Sequence, residues 1–324
     1  MRCSIIVRCY NEAKCIESLL CGISQQSQQD IEVIAVDSGS TDATLSILKR
    51  NGVKILSLAP SEFSFGRSCN LGCEAAQGNY VVFISAHAYP VYSTWLEELL
   101  EPFSDPKVAV SYGKQRGNSL NPYSEQQIFK SWYPDDHISI PPKDHPFCNN
   151  ANCAVRRSVW EEIRYDDSLT GLEDIDFANR TIRLGYKVTY APSAEIVHVH
   201  EENPITVFRR YRREAIAYQT IFPNEKLSLF DFIKLYCLNA TSDCYRAWRD
   251  GMFREHTTSI LQFRLMQFWG TYRGMCQKDH VSQSLKKRLY YPSSQNSKQN
   301  DNGGKGQLSV INYGKTAHNK DNNA

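Results

Sequence analysis

The sequence predicts an α/β fold: a mostly parallel sheet flanked by helices, followed by a helical C-terminal region. Three observations predict it. Apolar β-branched runs alternate with stretches of helical spacing over the first hundred residues. Each early apolar run stops abruptly in small polar residues, as buried parallel strands do at their carboxyl ends. Beyond residue 203 the strand-like runs cease, and aromatic and basic residues take over at helical spacing.

CSIIVRCYNE (3–12) reads as the first strand and its polar turn, and AKCIESLLCGISQQ (13–26) as a helix through Ile16, Leu19, Leu20 and Ile23. IEVIAVDSGSTDAT (31–44) repeats the unit, ending its strand at Asp37 and opening a helix with Ala43, Leu45, Ile47 and Leu48. Open α/β sheets bind ligands beyond the carboxyl ends of their strands, so Tyr10, Asn11, Glu12 and Asp37 are expected there together. Neither GxGxxG nor GxxxxGKS occurs, so the phosphate cradles of dinucleotide and P-loop sites are absent. A carboxylate such as Asp37 can instead accept a hydrogen bond from a base N–H or a ribose hydroxyl.

FSFGRSCNLGCEAAQGNY (63–80) supplies the basic Arg67 and a helix that packs Leu71, Cys73, Ala75 and Ala76. VVFISAHAYP (81–90) is a buried strand running into Ser85, His87 and Pro90. TGLEDIDFANR (170–180) sets Glu173, Asp174 and Asp176 at the mouth of a buried helix, where the helix dipole favours anions. Thr170 followed by Glu173 also fits a plain capping box. AEIVHVHEEN (194–203) reads as a strand with His198 and His200 on one face.

A net charge of +2 argues against a protein that works by neutralising nucleic-acid phosphates. The eleven cysteines are odd in number, form no CxxC pair, and include Cys3, Cys9, Cys69 and Cys153 inside apolar runs. They read as reduced core thiols, and the chain as a cytoplasmic one with no leader and no apolar stretch near the length of a membrane span.

SIIVRCYNE, VDSGSTDAT, the strand ending SAHAYP, FCNNANCAVRRSVW, GLEDIDFANR and IVHVHEEN, in that order over residues 1–210, resemble family 2 glycosyltransferases of the GT-A (Rossmann-like) fold. FSFGRSCN, DPKVAVSYGKQ and RRYRREA are most similar to bacterial rhamnosyltransferase-type members of polysaccharide biosynthesis. The resemblance implies an inverting transfer of a sugar from a nucleotide diphosphate-sugar donor to a hydroxyl of a glycan or lipid-linked acceptor. It makes Asp174 the base, with Glu173 orienting the site or contacting the acceptor, and places Tyr10, Asn11, Glu12, Asp37, Arg67 and Ser85 around the donor.

One departure stands out. The family's DxD triplet is here Ser85-Ala86-His87, which removes both carboxylates. Neutral imidazole can ligate, and the resemblance makes His87 and His198, or His200 in place of His198, the expected ligands of a divalent metal, Mn²⁺ or Mg²⁺, with a two-histidine site leaning toward Mn²⁺. The same departure supports a rival reading, a non-catalytic GT-A assembly subunit. A nucleotidyltransferase would want a glycine-rich basic loop where this chain has RCYNEAKC.

The domain limits read as 1–203 for the nucleotide-sugar domain, 204–292 for a basic, aromatic helical region, and 293–324 for a disordered tail with few apolar residues. Arg209, Arg210, Arg212 and Arg213 suggest a peripheral membrane contact. Residues 113–147 read as a loop-rich wall that sets donor choice.

Overall fold

The computed structural model describes residues 2–135, 147–277, 311 and 313. Its chain begins β1 (Cys3–Cys9), α1 (Ile16–Ser24), β2 (Ile31–Asp37), α2 (Thr44–Arg50), β3 (Lys54–Ser57), α3 (Phe65–Ala75), β4 (Tyr80–Ser85), as the alternating pattern predicts. These four strands are parallel, in the order β3-β2-β1-β4. There follow β5 (Ala88–Pro90), α4 (Trp95–Leu100), β6 (Val108–Arg116), α5 (Tyr123–Trp132), β7 (Asn152–Arg156), α6 (Arg157–Ile163), α7 (Glu173–Arg183) and β8 (Lys187–His198). They extend the sheet as β7-β6-β8-β5, and here it becomes mixed: β7 runs antiparallel to β4 and β6, whereas β6 and β8 are parallel.

Side chains alternate across β1, and the two sets enter different cores. Ile5 and Val7 meet Ile16, Leu19 and Ile23 of α1 and Trp95, Leu96 and Leu99 of α4. Ile6 meets Cys69 and Cys73 of α3 and Phe177 and Ala178 of α7. A sheet covered on both faces needs continuous apolar strands, which is why β1, β2 and β4 read as unbroken runs. Cys3, Cys9, Cys69 and Cys153 are buried free thiols, as their apolar settings suggest.

Where parallel and antiparallel halves meet, one buried amide holds four elements. Asn152 of β7 accepts the indole N–H of Trp95 at 2.9 Å and donates to the carbonyls of Lys114 and Ala194 at 3.0 and 2.7 Å.

The C-terminal region is helical: α8 (Pro204–Ile221), α9 (Leu229–Arg249) and α10 (Phe253–Met275). Val207 and Tyr211 of α8 pack with Ile128 of α5 and Phe263 of α10. Gly270 and Gly274 let α10 lie against α8, since a Cβ at either would stand 2.5 Å from an α8 carbonyl.

Three expectations change. The four arginines of α8 do not form a free basic face: each is at least half-buried, Arg210 is paired with Glu125 and Glu202, and Arg212 donates to Gln277. The donor wall is not all loop, because α5 occupies its middle; residues 136–146 of it lie outside the described residues. Within the segment read as a disordered tail, Ile311 and Tyr313 are buried against Tyr89, Val91, Val197 and Val199, and the Ile311 N–H donates to the Val91 carbonyl. The remainder of that segment lies outside the described residues.

Asn152→Leu keeps the volume but strands one donor and two acceptors in the core. It should lower stability by about 3 kcal/mol or more, seen as a lower urea midpoint at unchanged slope. An unshifted midpoint would remove Asn152 from its place as the junction of the sheet.

Candidate active site

The carboxyl ends of β1 and β2 carry the first group of polar side chains. Asn11, with φ 56°, turns the chain after β1, and its side-chain oxygen accepts the N–H groups of Thr41 and Asp42. Asp37 is buried and its Oδ2 accepts the N–H groups of Gly39 and Ser40 at 2.9 and 3.0 Å, so its carboxylate shapes the loop after β2. Tyr10 is half-buried beside them. Arg67 stands in the first turn of α3, exposed and 3.7 Å from Glu62, and the structure shows it bonded to none of the other site residues.

The second group is the acidic pair at the start of α7. The capping-box reading fails: the residue before the helix is Leu172, in the left-handed region at φ 55°, and the Thr170 hydroxyl donates to the Arg213 carbonyl. Glu173 is instead drawn to Arg8 of β1, at 2.8 Å, and accepts the side-chain N–H of Asn150. Asp174 accepts two backbone N–H groups, from Asn150 at 2.9 Å and Ile175 at 2.8 Å. Burial pushes the Asp174 carboxyl up to about 7, and the Glu173 charge adds to the rise, while the two amides and the Arg8 cation oppose it. Two adjacent carboxylates thus have different partners: Glu173 has a cation, and Asp174 has only amides.

The third group lies at the ends of β4 and β8. The His87, His198 and His200 rings gather so that one ligand nitrogen from each lies within 4.8 Å of the others. Each ring has its Nδ1 against an oxygen: His87 donates to Glu12 at 2.8 Å, His198 to Gln115 at 2.7 Å and His200 to Glu125 at 2.8 Å. In a neutral ring, such a bond puts the proton on Nδ1 and leaves Nε2 as the atom able to accept or ligate. The Ser85 hydroxyl reaches the His87 Nε2 at 3.0 Å. The His198 Nε2 is buried and has no hydrogen-bond partner. Burial lowers the His198 pKa well below its ordinary value, and the neighbouring His200, His87 and Arg210 add to this, so it is neutral. For His87 burial also works downward, but the Glu12 carboxylate outweighs it and the net shift is upward.

One turn joins the second and third groups. The Ser85 N–H donates to the Ala151 carbonyl at 3.3 Å, and the preceding residue, Asn150, gives its N–H to Asp174. The structure therefore brings Glu12, Ser85, His87 and His198 together, holds Glu173 and Asp174 one turn away, and makes Asp37 an internal brace of its loop.

Five residues that shape the site did not stand out in the sequence as site residues: Arg8, Gln115, Glu125, Asn150 and Arg210. A charge inside the apolar run CSIIVRC and two asparagines between cysteines in FCNNANC were available signals. Nothing local marked Gln115 or Glu125, and Arg210 stood out only as one of four arginines read as a membrane-facing group.

Residues 4–164 match the model of glycosyl transferase family 2, and through them the chain belongs to that family. Among curated proteins it is similar to the O-antigen chain rhamnosyltransferase RfbN of Salmonella typhimurium, at 29% identity over 65% of this chain and 70% of that protein. It is also similar to the O-antigen chain rhamnosyltransferase WbaN of Salmonella anatum, at 31% over 58% and 62%. Among solved structures, the mannosyltransferase PcManGT from Pyrobaculum calidifontis, in complex with GDP-Man and Mn²⁺, superposes with TM-score 0.59 at 18% identity, over 86% of this chain and 88% of that one. The fold is GT-A, and the chain is a glycosyltransferase.

The Asp174 carboxyl should titrate near pH 7 in the full-length protein, followed by ¹³C NMR with aspartate labelled at the carboxyl carbon and Asp174→Asn for assignment. Glu173→Gln removes the adjacent negative charge, so the midpoint should fall. A parent midpoint near 4 would contradict the account of this pair.

Proposed function

We propose that the chain transfers a sugar, with inversion, from a nucleotide diphosphate-sugar to a hydroxyl of a glycan or lipid-linked acceptor in bacterial surface polysaccharide synthesis. The observation that carries the reading is the divided state of the acidic pair. An inverting displacement needs one base to take the acceptor proton as the new bond forms. Asp174, raised to about 7 by burial and by Glu173, has the affinity for a proton that this role requires and still ionises near neutrality. Glu173, tied to Arg8, holds the helix start in register and keeps a negative charge beside the base.

In this reading the donor meets the loops after β1 and β2 with Ser85, and the exposed Arg67 offers its diphosphate a cation. The relatives named as O-antigen rhamnosyltransferases support a polysaccharide acceptor. A divalent metal fits the chain's own residues. The orphaned His198 Nε2, beside His87 and His200, is a set of imidazole donors suited to Mn²⁺ more than to Mg²⁺, which prefers oxygen. Such an ion supplies charge neutralisation of a departing diphosphate. Glu12, Gln115 and Glu125 fix the three rings that would hold it, and Arg210, bonded to Glu125 and Glu202, fixes Glu125 in turn.

Two outcomes follow. Asp174→Asn should bind a nucleotide diphosphate as the parent does while turnover falls by roughly 10²–10⁴-fold, the range for losing a general base; undiminished turnover rejects the assignment. By calorimetry, Mn²⁺ should tighten nucleotide diphosphate binding in the parent, and His198→Ala should lose most of that gain. Equal gain in parent and variant would take His198 out of the metal site.

A further inference from the structure

His87 is carried by a weak element. β5 is three residues long, lies at the edge of the sheet and begins at Ala88, directly after His87. Among the described strands it pairs with β8 alone, where Ala88 faces His198 and the Val199 N–H donates to the His87 carbonyl at 3.0 Å. That pairing brings the His87 and His198 rings into a stack with centroids 5.0 Å apart. A short edge strand with one partner opens readily, because few contacts hold it and water competes for its backbone groups.

The far C-terminal part of the chain supplies a second hold. Leu308, Val310, Ile311 and Tyr313 are the only apolar side chains between residues 293 and 316. Ile311 and Tyr313 are 3% and 4% exposed. The Ile311 N–H donates to the Val91 carbonyl at 3.2 Å, and the Tyr313 hydroxyl donates to the Pro90 carbonyl. The Tyr313 ring meets Tyr89 edge-on at 5.0 Å. Its hydroxyl end enters a notch left by Gly22 of α1, where a Cβ would stand 2.6 Å from the Tyr313 oxygen. With Tyr89, Val91, Val197 and Val199 these two residues form a small core apart from those on the two sheet faces.

We propose that Ile311 and Tyr313 are positioning residues, which clasp the end of β5 and so keep His87 against His198. A segment that only filled space would need no polar contact there, yet these two residues bond consecutive carbonyls, those of Pro90 and Val91. The path to the cluster is short. Pro90 is three residues from His87, and Val197 and Val199 flank His198 on β8. Glu12 holds the His87 ring at Nδ1, and the clasp holds the main chain that follows it. The proposal rests on the metal reading above for one of its three readouts and on geometry alone for the other two.

The test compares the full-length parent with Tyr313→Phe, which keeps the ring and loses the hydroxyl, and with Ile311→Ser/Tyr313→Ala. The first readout is amide hydrogen exchange at Val91 and Val199, with Val7 of β1 as the internal reference. The second is the pair of imidazole Cε1–H signals of His87 and His198 in ¹³C-resolved NMR, which the stacked rings displace. The third is Mn²⁺ affinity by electron paramagnetic resonance. In the double variant, exchange at Val91 and Val199 should quicken about tenfold or more while Val7 is unmoved, since a local hold is lost and not the fold. Its imidazole signals should move toward unstacked positions, and Mn²⁺ should bind about tenfold more weakly, with Tyr313→Phe between it and the parent. Exchange that quickens equally at Val7 marks a general loss of stability and overturns the proposal. So do imidazole signals that stay in place in the double variant. A parent that binds no Mn²⁺ removes the metal reading, and the exchange and imidazole readouts then decide the clasp by themselves; Mn²⁺ bound equally by parent and double variant overturns the clasp and leaves that reading standing.

Discussion

The site depends first on the ion pair between Arg8 and Glu173. It joins the central strand to the first residue of α7 at 2.8 Å, and both side chains are largely withdrawn from water. Breaking a pair of this kind leaves a buried charge without a partner, at a cost on the order of 3–5 kcal/mol, so strand and helix are held in one register. The same pair sets the electrostatics. With Arg8 committed to Glu173, the neighbouring Asp174 has a negative charge beside it and only two backbone amides as partners. Its raised proton affinity follows from that arrangement and from burial.

The histidine cluster has a comparable logic, spread over more of the chain. Three rings converge because each is held at its far nitrogen by an oxygen from a different element: the loop after β1, strand β6, and helix α5. Glu125 is itself held by Arg210, and burial would raise its carboxyl were it not for His200 and Arg210, which pull it well down. The C-terminal helices therefore do more than pack against α5. Through Arg210 they reach the oxygen that orients His200, which makes the helical region part of the site's support.

Much of this was legible in the sequence, for identifiable reasons. The β1-α1-β2-α2 alternation was visible because buried parallel strands are apolar without interruption and their ends are abruptly polar. Glu173 and Asp174 were visible because acids ahead of a buried helix are conspicuous, and His87 because it interrupts a small, apolar strand end. The supporting contacts were not, because they join residues far apart: Arg8 and Glu173 are 165 positions apart, and Arg210 and Glu125 are 85 apart. Asp37 was found as a polar strand end, but only the folded loop shows that its carboxylate faces its own backbone. Periodicity on α9 gave the helix and not its environment, since an apolar stripe has the same spacing whether it meets a core or solvent. The arginines of α8 mislead for the opposite reason, because charge in a sequence says nothing of the partners that bury it.

The most direct measurement of the central claim is the pH dependence of sugar transfer at saturating donor and acceptor, in single turnover. If Asp174 is the base and burial with Glu173 sets its affinity, the rate should rise with pH through a midpoint near 7 and level off above it. Arg8→Met removes a cation that holds that affinity down, so in this variant the midpoint should move upward. A rate that is flat across this range in the parent, or a midpoint that Arg8→Met leaves in place, would contradict the account.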